Sequence, residues 1–265
     1  MDNALLLYIK KILGNLEEIN LEFDSVKNTV NNIEVTVNDI YTGNSVTDWI
    51  ADLVENGTSS DTYKDASRMA LLCENKAACT NPSINTILFN YAVSNSLNVG
   101  NFYNQLLGSV SGVNWSSLST ISSISANSAA FSAVANNASA FEMFFNNSQG
   151  KQSLWTNRAT TQNILASSSV ATTEMKKHQE VKSMYLGMSG SHDDFTENMF
   201  VLSGRYSTER SNWHSKLVLY NNASSVYSYE YYGTEETNIN KFVTRGEFIW
   251  GLGTSAEIKL YHIKF

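Results

Sequence analysis

Charged residues and proline are scarce in this chain of 265 residues. Charged side chains make up 16% of the sequence and Pro occurs once, whereas an average globular domain is about one-quarter charged. The formal net charge is -7, which argues against a nucleic-acid partner because phosphate binding requires a basic surface. Ser, Thr and Asn supply the polarity instead, since their side chains cap helices, form turns and hydrogen-bond without carrying a charge.

Metal-binding and catalytic motifs are also lacking. Neither the two cysteines, Cys73 and Cys79, nor the four histidines show metal-ligand spacing, so we interpret the cysteines as reduced, partly buried thiols. There is no P-loop, no HExxH and no GxGxxG after a strand, and residues 187–192 (GMSGSH) are not the GxSxG of a nucleophile elbow. We therefore predict no enzymatic activity, no cofactor and no metal.

One acidic cluster lies in a predicted loop near the start of the C-terminal third. It would bind a cation or a ligand hydroxyl, or it is a solvated acidic loop, and we favour the solvated loop. Its members are His192, Asp193, Asp194 and Glu197.

No membrane-spanning segment is predicted. No apolar run approaches the roughly 18 residues that a membrane span needs, and Lys10 and Lys11 interrupt the apolar stretch near the N-terminus. We expect a soluble chain without membrane insertion and without a signal peptide.

The N-terminal region contains an unbroken heptad pattern. Apolar residues recur at alternating spacings of four and three, as in a coiled coil. β-branched residues dominate the d positions, which favours trimers or tetramers over a parallel dimer. We predict a homotrimeric parallel coiled coil; the alternative is an amphipathic helix packed on its own domain. The predicted trimer seam consists of Leu5, Ile9, Ile12, Leu16, Ile19, Phe23, Val26, Val30, Ile33, Val37 and Ile40.

Four further apolar residues lie off this seam, so the first turns are apolar all round. Such a patch usually marks a contact with another protein. We predict that it anchors the chain to a larger assembly; fraying or packing within a wider bundle is the alternative. The candidate anchor residues are Leu6, Leu7, Tyr8 and Leu13.

A ten-residue repeat follows. Polar residues that favour helix N-caps recur every ten positions, each ahead of helix-compatible residues, and bulky apolar residues recur in parallel. Each decapeptide is interpreted as a capped short helix plus a turn, which is too short to be stable alone and needs neighbouring repeats or partner chains. The polar series are Asp65, Asn75, Asn85, Asn95 and Asn127, Asn137, Asn147, Asn157, and the apolar series is Val134, Phe144, Leu154, Ile164.

The stretch ANSAAFSAVA NNASAFEMFF, which begins at Ala126, resembles the Ala/Ser-rich decapeptides of bacteriophage tail-fibre and related virion fibre proteins. The resemblance covers residues 126–175 well and 65–104 weakly. It implies a shaft of short helices from three chains and brings no catalytic residues. Phe, Trp and Leu stand where the family has Met, Ala and Val, so we expect a thicker and better-packed shaft.

The last ninety or so residues contain six short segments rich in β-branched and aromatic residues, separated by turn-rich connectors. Strands at this spacing predict an antiparallel sandwich or jelly roll. Aromatic side chains beside Asn and Asp are typical of carbohydrate recognition, although aromatics on a strand are more often core or interface. The candidate receptor-binding residues are Trp213, Tyr220, Tyr227, Tyr229, Tyr231 and Trp250.

Together these patterns predict an α+β, elongated homotrimer: an N-terminal parallel coiled coil, a helical repeat shaft and a C-terminal antiparallel β-sandwich (jelly-roll-like) tip. The predicted parts are a coiled-coil anchor (1–43), a short-helix region with the first repeats (44–125), the repeat shaft (126–178) and the tip (179–265).

We expect a structural virion fibre, assembled in the host cytoplasm, whose tip attaches to the host cell. Its expected partners are two copies of itself, other virion proteins of the tail, collar or capsid at the N-terminus, and a host surface glycan or protein at the C-terminus. The alternatives are a head or collar fibre or tail adaptor with a purely structural role and, third, a hydrolase of envelope polysaccharide.

Overall fold

The computed structural model describes residues 46–186, 193–208, 214–232, 234–250 and 256–265, together with a few helical positions between residues 10 and 29. By its internal contacts the chain divides into two units, Met1–Arg68 and Met69–Phe265. Among the described residues, no helix is long and apolar enough to cross a membrane.

The first unit contains helix α1 (Val46–Asn56), a 3-10 turn (Gly57–Ser59) and helix α2 (Asp61–Lys64). The Asp52 carboxylate ties α1 to α2, because one oxygen accepts the backbone N–H of Thr62 at 2.9 Å and the other accepts the Asn56 amide at 3.0 Å. These hydrogen bonds lower the pKa of Asp52 below its ordinary value. Trp49 is buried under the Arg68 guanidinium, 5.5 Å from the ring centroid.

Most of the predicted trimer seam lies outside the described residues, as do the anchor candidates Leu6, Leu7 and Tyr8. Every described seam residue is helical and exposed, as is the anchor candidate Leu13. The exposed fractions are Ile12 44%, Leu13 56%, Leu16 50%, Phe23 67% and Val26 59%.

Ten helices follow the first two. They are α3 (Ala66–Cys73), α4 (Lys76–Cys79), α5 (Asn85–Ser94), α6 (Val99–Leu107), α7 (Ile121–Ala126), α8 (Ser128–Ala135), α9 (Ala138–Asn146), α10 (Ser148–Thr156), α11 (Arg158–Ser167) and α12 (Ser169–Lys176), with a 3-10 turn (Trp115–Ser117) between α6 and α7. Helices α8 to α11 begin at intervals of ten residues, as the repeat predicts.

Asparagine caps set these intervals. The side chains of Asn127, Asn137 and Asn147 accept backbone N–H groups of α8, α9 and α10, which confirms their predicted role. Asn157 does not cap α11; its amide instead donates to the Ser125 hydroxyl at 2.7 Å. In the earlier series Asp65 and Asn75 accept such N–H groups.

The prediction fails for the other two residues of that earlier series. Asn85 is the first residue of α5, and Asn95 follows the last residue of the same helix.

The predicted three-chain shaft is wrong, because the repeats fold back on one another within a single chain. Helix α7 packs on α10, α8 on α11 and α9 on α12, so the chain completes one turn of a solenoid every three helices. Ser168 donates its hydroxyl hydrogen to the carbonyl of Ala135, 33 residues earlier, at 2.6 Å. The fully buried rings of Phe131, Phe141 and Phe144 fill the interior of the solenoid.

The C-terminal strands form one six-stranded antiparallel sheet in the order β1-β6-β2-β5-β3-β4. The six predicted strand segments are therefore confirmed, but the two-sheet sandwich is wrong. The strands are β1 (Glu180–Leu186), β2 (Asp193–Thr208), β3 (His214–Asn221), β4 (Ser224–Tyr232), β5 (Glu235–Trp250) and β6 (Ala256–Lys264). The terminal Phe265 donates its N–H to the carbonyl of Asn198 at 3.1 Å.

Curvature explains how one sheet buries an apolar face without a second sheet. The rings of Tyr206 on β2 and Tyr231 on β4 lie 5.4 Å apart, although β5 and β3 separate the two strands in the sheet. Gly204 permits this approach, because a Cβ there would lie 3.0 Å from the Tyr231 hydroxyl. The inner face therefore packs against itself, with Met199, Leu217 and Ile258 fully buried.

The outer face of the sheet packs against the solenoid. The ring of Trp155 on α10 lies 5.7 Å from Phe242 on β5 and 5.9 Å from Phe265. On α11, the Gln162 side-chain oxygen accepts the backbone N–H of Phe242 at 3.2 Å. The second unit is thus an α+β arrangement with helices on one face of a curved sheet.

Candidate functional site

Three tyrosines form a ladder on the edge strand β4. Side chains alternate between faces along a strand, so Tyr227, Tyr229 and Tyr231 share one face, as the sequence predicts. Ring centroids are 6.2 Å apart between Tyr227 and Tyr229 and 4.8 Å apart between Tyr229 and Tyr231. We call these three residues the tyrosine ladder.

Burial differs along the tyrosine ladder. Tyr231 is fully buried in the inner core, Tyr227 is half-buried, and Tyr229 is 39% exposed. Burial raises the pKa of Tyr231 far above its ordinary value. Tyr231 is therefore a core residue, which is the alternative that the sequence left open, while Tyr229 presents aromatic surface to solvent.

The strand pairing fixes where the ladder points. Leu219 of β3 lies opposite Tyr227 and Leu217 lies opposite Tyr229, and both leucines are fully buried. The Tyr229 hydroxyl reaches the Glu235 carboxylate at 3.5 Å, and this negative charge is the main reason that the pKa of Tyr229 is raised. An aromatic face and a carboxylate thus meet at the rim of the sheet.

Tyr220 does not join the ladder, because it lies on the opposite face of the sheet. Its hydroxyl donates to the Glu247 carboxylate at 3.1 Å, and the Arg245 guanidinium lies 4.3 Å from its ring centroid. Arg245 and Glu247 also form an ion pair at 3.3 Å. Sequence reasoning missed this cluster, although the alternation of Arg245, Gly246 and Glu247 places both charges on one face of a strand.

The two tryptophan candidates lie wholly or partly outside the described residues. Trp213 lies outside the described residues. Trp250 is the last residue of β5, opposite Ser215 of β3, and its side chain also lies outside them.

The described members of the acidic cluster, Asp193, Asp194 and Glu197, lie on β2, and two of them have partners. Asp193 accepts the backbone N–H of Tyr185 at 2.9 Å, and Glu197 pairs with Lys182 and, at 3.4 Å, with Lys264. The Lys182 hydrogen bond and both lysine charges lower the pKa of Glu197. The prediction of a solvated loop is wrong for these two residues, while His192 lies outside the described part.

The described residues contain no group of three or more His, Cys, Asp or Glu side chains that could hold a metal ion. Cys73 and Cys79 are free and buried. Each thiol donates to a backbone carbonyl, Cys73 to Leu88 and Cys79 to Cys73. Burial raises the pKa of both thiols to about 12, so they remain protonated and unreactive near neutral pH.

A cleft between α11 and the β3–β4 turn also escaped sequence reasoning. Arg158 and Gln162 on the helix and Asn221 on the strand line it. These residues are far apart in sequence and carry no motif, so only the packing of the helix on the sheet brings them together.

The chain matches no protein-family model and has no significant match among curated protein sequences.

Proposed function

We propose that this protein is a bacteriophage virion component that attaches to a glycan on the host surface through the rim of its curved sheet. The observation that carries the proposal is the position of Tyr229, an exposed ring held between two tyrosines on an edge strand. Sugar rings present apolar faces that stack on aromatic side chains and hydroxyls that need hydrogen-bond partners.

The tyrosine ladder supplies a rigid platform for such stacking. Tyr231 is anchored in the core, and its hydroxyl lies 3.5 Å from that of Tyr227. The neighbouring Glu235 carboxylate is an acceptor for sugar hydroxyls at the same rim. A platform that is already ordered loses little conformational entropy when it binds.

The assignment to a virion depends on the decapeptide repeats and their resemblance to virion fibre proteins. In this chain the repeats form a solenoid with a packed interior, which supports a role as a stiff support for the sheet. The expected place of the protein is the virion, after assembly in the host cytoplasm.

The second candidate function is purely structural, as an adaptor or as a head or collar fibre. The exposure of Ile12, Phe23 and Val26 on a heptad seam favours it, because apolar side chains at such positions are normally covered by another helix. We propose two further copies of the same chain and other virion proteins as the partners that cover these side chains.

Attachment is tested with fluorescently labelled full-length protein on a panel of bacterial cells and on immobilised bacterial polysaccharides. We expect Tyr229→Ala to reduce binding about tenfold, by analogy with the stacking of a nucleobase on an aromatic side chain, which is worth about 1–3 kcal/mol. Tyr185→Ala is the matched control, because Tyr185 is 61% exposed on the opposite edge strand, β1. Equal binding by wild type and both variants would contradict the proposal.

A further inference from the structure

An open cleft of about 510 Å³ lies where the solenoid meets the β3–β4 turn. Its volume falls in the range of about 300–1,000 Å³ that is typical of small-molecule sites. Its polar lining groups are amides, hydroxyls and one guanidinium, and no carboxylate is among them. The lining residues are Thr156, Arg158, Ala159, Gln162, Asn221, Asn222, Ser224 and Val226.

The turn that forms one wall is held in place. Asn221 pairs with Ser224, which leaves a two-residue turn between them. Asn222 adopts a left-handed conformation with φ of 55°, which Asn tolerates better than most residues. Its backbone N–H donates to the Thr244 hydroxyl on β5 at 2.8 Å, so the turn is fixed to the body of the sheet.

The Arg158 side chain on the opposite wall is also oriented. Its guanidinium lies 4.9 Å from the ring centroid of Trp155 and donates to the Trp155 carbonyl at 3.2 Å. One N–H group is used in this way, and a guanidinium has five. None of the salt bridges among the described residues involves Arg158, so its positive charge is available to a ligand.

Two carboxamides are ready for hydrogen bonds. The Asn221 side-chain oxygen is buried and has no hydrogen-bond partner within the part of the chain that the structure describes, which is costly unless a ligand supplies a donor. The Gln162 oxygen accepts the backbone N–H of Phe242; this bond fixes its carboxamide and leaves the two N–H donors without a partner among the described residues.

We propose that this cleft binds a sugar unit that carries a carboxylate. The Arg158 guanidinium pairs with the carboxylate, a hydroxyl of the sugar donates to the Asn221 oxygen, and the Gln162 amide donates to a ring or hydroxyl oxygen. The absence of acidic residues from the lining favours an anion over a cation or a neutral amine. The chain carries a net charge of -7, so this positive cleft is a local exception.

The inference goes beyond the proposed function, because the cleft and the tyrosine ladder involve different residues and the cleft binds its ligand whether or not the protein attaches to cells. The probe is digalacturonate, with galactobiose as the neutral counterpart, and binding to the full-length protein is measured by isothermal titration calorimetry. We expect digalacturonate to bind at least fivefold more tightly than galactobiose at low salt, and to weaken as salt is added.

Arg158→Gln should weaken digalacturonate binding at least tenfold, and Asn221→Ala at least threefold. Arg245→Gln is the matched control, because Arg245 also lies over an aromatic ring, that of Tyr220, and the substitution changes the net charge equally. Circular dichroism confirms that each variant is folded. No binding of digalacturonate, equal binding of the two sugars, or equal losses in Arg158→Gln and Arg245→Gln would overturn the proposal.

A substitution in the tyrosine ladder distinguishes sugar binding in the cleft from attachment through the ladder. Tyr229→Ala should leave digalacturonate binding unchanged, while Arg158→Gln should not abolish attachment through the ladder. Loss of digalacturonate binding in Tyr229→Ala would place the sugar on the ladder and overturn the cleft as its site.

Discussion

The solenoid of helices α7 to α12 and the curved sheet both surround buried aromatic rings, but they satisfy their polar groups differently. In the solenoid, neutral Asn and Ser side chains cap helices and join successive turns, as Asn137 and Ser168 do. In the sheet, charged side chains pair across strands, as Glu197 does with Lys182 and Lys264. The use of neutral hydrogen-bonding side chains in the solenoid is therefore one reason that the chain as a whole has few charged residues.

The difference shows two ways of encoding long-range contacts. Each solenoid helix begins at a local cap, and the same ten-residue spacing brings helix i onto helix i+3. The sheet has no such repeat, and its centre is a pairing of β2 with β5 and β6, which lie far along the chain. Perturbations of the two regions should therefore differ in kind.

The largest effect is expected from removing one buried ring in either region. Phe131→Ala in the solenoid and Phe248→Ala in the sheet each leave a cavity at a fully buried site, which costs about 3–5 kcal/mol. Urea unfolding followed by circular dichroism and by tryptophan fluorescence measures both. Losses below about 1 kcal/mol in one region only would show that its interior is not packed as described.

The substitution Gly150→Ala separates the effect of solenoid packing on stability from the effect of helix propensity. Alanine at Gly150 should stabilise a helix by about 1 kcal/mol on propensity alone. A Cβ at this position would, however, lie 2.0 Å from the backbone oxygen of Phe144, so we expect Gly150→Ala to destabilise the protein by about 2–3 kcal/mol.

The control for this substitution is Gln149→Ala, at the exposed neighbouring position. It should change the free energy of unfolding by less than about 0.5 kcal/mol. A Gly150→Ala protein that is more stable than wild type would show that α9 and α10 do not approach so closely.

A substitution at Asn137 tests whether asparagine caps stabilise the helices of the solenoid. Asn137→Ala removes the side-chain oxygen that accepts the N–H of Ala140 at 2.9 Å, and should cost about 1 kcal/mol. Asn137→Asp keeps a capping oxygen and should be nearly neutral. Unfolding in urea measures both, and equal losses in the two variants would argue against a capping role.

The smallest effect is expected from the charges of the sheet. The folded-state pKa of Glu197 is lowered, so its contribution is present above the ordinary pKa of 4.5 and is lost as the pH falls below that value through the folded-state pKa. Because the group is partly exposed, the contribution is at most about 1 kcal/mol. Glu197→Gln should reduce the dependence of stability on pH between neutral and acid, measured by thermal melting.

Glu142→Gln in the solenoid is the control for this change, because Glu142 is exposed. It should leave the dependence of stability on pH as in wild type. An unchanged dependence in Glu197→Gln would show that the ion pairs of Glu197 contribute nothing to stability.

Much of the local structure could be predicted from sequence. Asn127 and Asn137 were predicted as caps because a cap depends only on the next few residues. The six strand segments were visible from alternation and turns. The return of the chain after three helices could not be predicted. The repeat shows that each short helix needs neighbouring helices, but it does not show whether these come from the same chain.

The prediction of a two-sheet sandwich failed for a related reason. Two sheets or one curved sheet follow from the same strands, and close approach at Gly204 decides between them. For the site, alternation correctly placed Tyr227, Tyr229 and Tyr231 on one face. It did not reveal that Tyr231 is core, nor that Arg158 and Asn221 meet across a cleft, because both depend on tertiary packing.

The three-helix turn of the solenoid also constrains how this chain can change in length. Loss or gain of one decapeptide would rotate everything that follows by a third of a turn, and would carry the sheet away from the side of the solenoid on which Trp155 meets Phe242. Loss or gain of three decapeptides would restore the direction and alter only the distance. Natural length variants should therefore differ by whole turns, so that the solenoid acts as a spacer with discrete steps.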